Sequence, residues 1–194
     1  MYTFEEWKKN LIIVRGGGDI ATGTIYKLYQ SRFPVLVLEI ANPSCIRRTI
    51  SFCEAVFDKK VEVEGVTAKR AESLEDAFAI YGQGQIPVMI DENGSMIQEV
   101  QPPVVVDAIL AKRNLGTKIT DAPAVIGVGP GFCAGKDVDA VIETQRGHNL
   151  GRVIYEGEAA PNTGIPGMIG GYAKERVIHA SATGKLHILR QIGE

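Results

Sequence analysis

Leu11–Val14 is a short, unbroken apolar run that stops at three consecutive glycines, Gly16 to Gly18. A run without polar alternation suits a strand covered on both faces. From Ala21 the apolar positions Ala21, Ile25, Leu28 and Tyr29 recur at helical spacing, and after Pro34 a second compact run, VLVLEI, begins. The pattern predicts strand, glycine turn, helix, strand. Farther on, Ser73 and Asp76 have the spacing of a capping box, and Leu74, Ala77, Phe78 and Tyr81 share one helical face. Ile86–Ile90 then reads as a strand, Glu92-Asn93-Gly94 as a turn, and VVVDAIL after Pro102-Pro103 as another buried strand. Strands alternating with helices favour an α/β protein with a mainly parallel sheet.

After Pro123 the periodicity changes. AVIGVGPGF, DVDAVIET, GRVIYEG and ERVIHA are short apolar runs separated by glycine turns, with no room for helices, so this part is expected to be mostly β. Two domains are expected: residues 1–123 for nucleotide or phosphate binding, and a glycine-rich β region, residues 124–194, packed on it. Thr183-Gly184 is expected to turn a hairpin between Val177–Ala180 and Leu186–Leu189. The chain stops five residues later, which reads as truncation of a C-terminal β domain beginning near residue 172.

Composition narrows the function classes. With 194 residues, 45% of them hydrophobic, the chain can bury a core of its own. A net charge of −2 supplies no basic field for nucleic acid or an anionic membrane, so any anion site must be local. Three cysteines, Cys45, Cys53 and Cys133, are odd in number and lack C-x-x-C spacing, which argues against a disulfide scaffold or zinc cluster. His148, His179 and His187 have no close-set ligand partners, so no metal is expected. MYTFEEWKKN followed by a four-residue apolar run is not a signal peptide, and a cytoplasmic location is expected.

The glycine turn carries the first candidate chemistry. Gly16-Gly17-Gly18-Asp19-Ile20-Ala21 satisfies G-x-G-x-x-A: Gly16 for the tight turn, Gly18 for close approach of backbone to phosphate, Ala21 for helix packing. Free amides and the dipole at the start of the helix would favour an anion there. Glu39, at the end of the second strand and 21 positions after Gly18, stands where a ribose-binding carboxylate belongs. Arg15 and Arg47-Arg48 could reach a further phosphate or serve as solvated charges.

A second loop, GVGPGFCAGK, is equally rich in glycine. Gly129 and Gly131 can present amides, Pro130 stiffens the turn, Phe132 follows, and Lys136 can supply charge. Beyond it Glu143, Arg146 and His148 cluster at and after the apolar segment DVDAVIET, where ligand-facing groups often project. Arg146 can hold a ligand or pair with Glu143. Cys133 reads as a small packing residue rather than a sulfur carrier.

VRGGGDIATG, VLEIANPSCIRRTISFCEAVFD, VVVDAILAKRNLGT, GPGFCAGKDVDAVIETQRGHNLGRVI and NTGIPG together resemble the YqeB family, accessory proteins of selenium-dependent molybdenum hydroxylase systems. The resemblance spans nearly the whole chain and is most specific from GPGF to NTGIPG. It implies a Rossmann-like domain, and a maturation role akin to that of the XdhC/CoxI factors that handle molybdenum cofactor before insertion. It also implies a chain continuing into glycine-rich β structure like a biotinyl or lipoyl carrier, in keeping with truncation.

The function expected is therefore an accessory factor for a molybdenum hydroxylase, binding a molybdopterin-type or nucleotide cofactor through two glycine loops. The site residues are Gly16, Gly17, Gly18, Asp19, Ala21, Glu39, Gly129, Gly131, Phe132, Arg146 and His148, with no catalytic residue assigned. The competing expectation is an NAD(P)-dependent oxidoreductase, in which His148 or Lys112 would have to act as acid or base. A homodimer is the default assembly.

Overall fold

The computed structural model describes residues 2–165, 167–184, 187, 189 and 190, and these form two compact units, one ending at Pro161 and one starting at Asn162. The first unit runs α1 (Phe4–Asn10), β1 (Ile12–Arg15), α2 (Asp19–Gln30), β2 (Val35–Glu39), α3 (Ala55–Asp58), β3 (Lys60–Val63) and β4 (Val66–Ala71). It continues through α4 (Leu74–Gly82), β5 (Ile86–Ile90), α5 (Ser95–Val100), β6 (Val104–Asp107) and β7 (Ala124–Val128). The last strands are β8 (Cys133–Ala134), β9 (Ala140–Ile142), β10 (Val153–Ile154) and β11 (Gly157–Glu158).

Nine strands make one sheet in the order β10-β9-β7-β6-β1-β2-β5-β4-β3, and β8 with β11 makes a small antiparallel pair. Seven strands of the large sheet run parallel; β3 and β10 are antiparallel edges. This is a Rossmann-like α/β architecture. The chain moves from β1 outward through β2, then returns past β1 to β6, so the strand order reverses between β1 and β6. The crevice beyond the carboxyl ends of those two strands is the topological switch point, where ligands bind in open α/β sheets.

Alternation along the central strands builds two cores. Ile12, Val14, Val35 and Val37 face α2 and α3, packing with Ala21, Ile25, Phe52 and Ala55. Ile13, Leu36 and Leu38 face the other way, against Trp7, Leu74, Ala77, Ile80 and Ile97 of α1, α4 and α5. A third, smaller core under β7 and β9 gathers Val125, Phe132, Val138 and Val141.

Most expected elements form, with instructive differences. Ser73 Oγ accepts from the Asp76 amide at 3.2 Å, but Asp76 reaches back to the amide of Glu72, at 3.0 Å, rather than to Ser73. The strand expected from VVVDAIL stops at Asp107, whose carboxylate turns back onto the Ile109 amide at 3.1 Å. Helices α1 and α5 and the β3–β4 hairpin lay outside the expected elements; α1 is set by a capping box between Thr3 and Glu6. β7 and β9 extend the large sheet beyond Pro123.

In the second unit, the strand expected from ERVIHA does not form. Lys174–Arg176 is a single 3-10 turn whose Lys174 carbonyl takes the Val177 amide at 3.0 Å, and residues 177–180 have no ladder partner among the described residues. Much of the second strand of the expected hairpin, 186–189, lies outside the described residues. Among the described residues, no helix is long and apolar enough to cross a membrane.

Candidate functional site

All seven parallel strands present their carboxyl ends on one edge of the sheet, and both glycine loops lie there. β1 leads into Gly16, β7 leads into Gly129, and β6 lies between them, so the two loops start about 10 Å apart. The segment leaving β6, residues 108–113, separates them and touches both.

Close approach to that segment explains several glycines. Gly16 has φ +91, and a Cβ on it would stand 2.9 Å from Ile109 Cα and 3.0 Å from the Ala108 carbonyl oxygen. In the second loop, Gly129 (φ +82) leaves room for Thr144 Oγ1, 2.9 Å from a Cβ placed there, and for Leu110 at 3.5 Å. Gly131 (φ +114) is tighter still, with Arg113 Cα 2.6 Å from such an atom. The connecting segment is itself strained: Leu110 and Lys112 adopt φ +56 and +62, a region side chains ordinarily avoid.

Gly18 differs from all of these. It caps α2 with an extended backbone (φ −64, ψ 179), and a Cβ on it would meet nothing within 4 Å. Its carbonyl accepts from Thr22 at 2.7 Å, while the amides of Gly18, Asp19 and Ala21 have no protein acceptor among the described residues. Free amides at the start of a 12-residue helix, approached over an open glycine, make a cradle for an anion. Ala21 is fully buried beneath it, letting α2 lie close on the sheet. The Asp19 carboxylate accepts from the Ile20 amide at 2.9 Å and pairs with Arg47.

Gly17 is clamped from both sides. Its amide donates to Glu39 Oε2 at 2.8 Å, and the other oxygen of Glu39 accepts from Ile40, also at 2.8 Å. Its carbonyl accepts from the Cys53 amide at 2.8 Å and the Thr22 hydroxyl at 3.1 Å; Thr22 Oγ1 in turn accepts from Phe52 N at 2.9 Å. Glu39 thus ties the end of β2 to the glycine turn. Burial pushes its carboxyl above the ordinary value, against the pull of the Ile40 and Gly17 amides.

On the opposite face of the same edge, Arg15 is buried beside Asp107 at 3.4 Å, and Thr117 Oγ1 donates to that carboxylate at 2.6 Å while accepting from Arg15 Nη1. Asp107 also takes the Ile109 amide, so one buried acid fixes β1, β6, Thr117 and the start of the 108–113 segment together. Sequence reasoning missed Asp107 and Thr117. The signal available was an acid closing an apolar run, VVVD, where a buried strand normally ends on a turn residue.

Beyond the second loop, the backbone bond from Gly129 N to Ile142 O, 2.9 Å, joins it to the end of β9. Glu143 is buried there and accepts from Gln145 at 2.7 Å and Ala160 at 2.8 Å, anchoring the following turn. Burial pushes the carboxyl up, but the amides of Ala160, Gln145 and Thr144 outweigh it and hold it below its ordinary value. Those backbone partners occupy Glu143, and Arg146 makes no ion pair with it. Arg146 and His148 are exposed on the turn after β9, and Lys112 is exposed on the connecting segment. Phe132 is buried in the third core, packed so closely on Gly127 that a Cβ there would fall 2.5 Å from its ring.

The fold therefore brings Gly16, Gly17, Gly18, Asp19, Ala21 and Glu39 into one constellation, connects Gly129 and Gly131 to it through residues 108–113, and leaves Arg146 and His148 on a neighbouring exposed turn. No family model matches the chain, and no solved structure gives a significant match. The chain is 50% identical over 184 residues to the uncharacterized protein YqeB of Escherichia coli (strain K12), a match covering 95% of this chain. It spans about a third of that relative's length, 34%. The similarity to YqeB holds over this matched length.

Proposed function

We propose that this chain binds a phosphate-bearing cofactor of the nucleotide or molybdopterin type at the carboxyl edge of its sheet, and serves as an accessory factor for a molybdenum hydroxylase. The observation that carries the binding step is the open Gly18 at the head of α2, where the part-exposed Gly18 and Asp19 have amides free of protein acceptors, at the switch point between β1 and β6. The diphosphate would lie over Gly18 and Asp19, with Glu39 beside the sugar end. The turn bearing Arg146 and His148, on the same edge, would meet the far end of a longer ligand. The hydroxylase is drawn only from the resemblance of GPGF to NTGIPG and its neighbours to the YqeB family.

Among the described residues, no pair at this edge has the geometry of an acid and base flanking a substrate: Glu39 and Glu143 are occupied by backbone amides, and Lys112 and His148 are exposed. This favours binding and transfer over hydride chemistry. Native mass spectrometry of freshly purified protein, followed by calorimetric titration with NAD, NADP, cytidine nucleotides and molybdopterin species, tests the proposal. Saturable binding of a cytidine nucleotide or molybdopterin, lost in Gly18→Val, is the expected result. Stoichiometric NAD(P) binding with turnover of a small alcohol or aldehyde would overturn it.

A further inference from the structure

β3, the outermost strand at one end of the large sheet, pairs with β4 on one side and has no strand on the other among the described residues. A turn at Glu64-Gly65, with φ +50 and +75, joins it to β4. Val63 stands opposite Val66, Glu62 opposite Thr67, Val61 opposite Ala68 and Lys60 opposite Lys69. In an antiparallel pair, opposite residues exchange backbone bonds only at every second position. The Arg70 amide donates to the Lys59 carbonyl at 2.9 Å, so the bonded positions are Lys59–Arg70, Val61–Ala68 and Val63–Val66. The N–H and C=O groups of Lys60 and Glu62 therefore point away from β4, and no protein group takes them among the described residues.

The side chains of this edge divide by face. Val61 packs on the core that holds Val63, and α3, which carries the half-exposed Phe57, lies against the strand. On the other face Lys60 and Glu62 are exposed, and neither makes an ion pair among the described residues. Lys60 instead stands opposite a like charge, Lys69, within its own hairpin.

We propose that β3 pairs with β3 of a second copy of this chain, antiparallel about a two-fold axis at Val61, joining two sheets edge to edge. Self-complementary charge selects both the occupant and the register. The outward backbone groups allow Lys60 and Glu62 to stand opposite themselves or each other. Lys60 opposite Lys60 of the partner subunit, or Glu62 opposite Glu62 of the partner subunit, sets like charges face to face, which is unfavourable. Centred on Val61, Lys60 faces the partner's Glu62 and Glu62 faces the partner's Lys60, and each such pair exchanges two N–H···O bonds. Val61 then meets the partner's Val61 on the apolar face. Charges along an edge strand ordinarily deter pairing; here their alternating sign makes one register attractive. The paired stretch is short, so the dimer belongs to the weak class that buries less than about 1,200 Å².

Sedimentation equilibrium of the full chain, from low to high micromolar concentration, tests the contact. Wild type is expected to show a monomer–dimer equilibrium. Lys60→Glu and Glu62→Lys each put like charges across the axis, and each should weaken the dimer by at least about tenfold. Both positions are exposed, so circular dichroism should match wild type. Mixing the two variants restores opposite charges across the axis and should give a heterodimer, and the double variant should again form a homodimer.

A monomer at every concentration overturns the second copy as occupant of this edge. A dimer that survives Glu62→Lys unchanged lies on another surface and equally overturns it. If both variants lose the dimer and the mixture does not regain it, the register centred on Val61 falls. β2, β5 and β4 separate this edge from β1, so these outcomes do not depend on the ligand reading above.

Discussion

The two glycine loops look alike along the chain and differ in what their glycines do. In the second loop, Gly127, Gly129 and Gly131 are each filled by a neighbour: the Phe132 ring, Thr144 and the Arg113 backbone. In the first, Gly16 and Gly17 are filled in the same way, by Ile109 and Cys53, but Gly18 faces open space over the free amides of α2. A glycine can be required because protein occupies the missing side chain's place, or because a ligand would. Of the loop glycines, Gly18 alone combines open space with free helix amides.

The acids that anchor the loops also differ. Glu39 and Glu143 both accept from backbone amides, yet Glu39, with two, is shifted up by burial, whereas at Glu143 the amides of Ala160, Gln145 and Thr144 outweigh burial and the shift is down. From the ordinary value of 4.5, the first contributes stability that is present below that pH and lost as pH rises through its folded value. The second contributes stability that is present above 4.5 and lost as pH falls through its folded value.

The largest effect is expected where both loops are broken at once. Asp107→Ala strands a buried Arg15, frees Thr117 and releases the Ile109 amide, and should cost about 3–5 kcal/mol in denaturant unfolding. A loss near zero would show that the loops do not depend on this anchor. Gly131→Ala comes next, at about 2–4 kcal/mol, since the new Cβ meets the Arg113 backbone at a strained φ.

Gly18→Val sharpens the contrast: unfolding stability should change by less than about 1 kcal/mol, while nucleotide affinity falls by more than about tenfold because the side chain blocks the cradle. A large stability loss with intact binding would reverse the assignment of the two loops. The pH arm follows. Between about pH 4 and 7, Glu143→Gln should lose most, relative to wild type, at the neutral end, whereas Glu39→Gln should remove a decline in wild-type stability on raising pH from about 4.5. Matching pH profiles would contradict the opposite shifts. Smallest in stability is Arg146→Ala, within about 0.5 kcal/mol because the side chain is exposed and unpaired among the described residues. If the turn meets an anionic ligand, affinity alone should drop, by about 1.5–3 kcal/mol.

Much of this fold was legible in the pattern of apolar runs. β1, β2, β5, β6 and β7 fall where those runs predict them, and α2 starts at the glycines. α1, α5 and the β3–β4 hairpin were not, since short elements with mixed exposure carry little periodicity and are held by packing on the sheet. At the site, the glycine spacing and Glu39 were visible as motif positions. The partners that occupy Gly17, and the Arg15–Asp107–Thr117 cluster, were not, since residues so far apart in sequence meet only when β1, β6 and the 45–53 stretch come together.

Sequence by itself determined the buried parallel strands and the placement of glycines after β1 and β7, because uninterrupted apolar runs are satisfied only by cover on both faces and glycine alone relieves the turns. Only the tertiary structure decided which glycines are filled and which one is open. Steric room is a property of neighbours brought from elsewhere in the chain: Ile109 against Gly16, Cys53 against Gly17, Arg113 against Gly131, and nothing against Gly18.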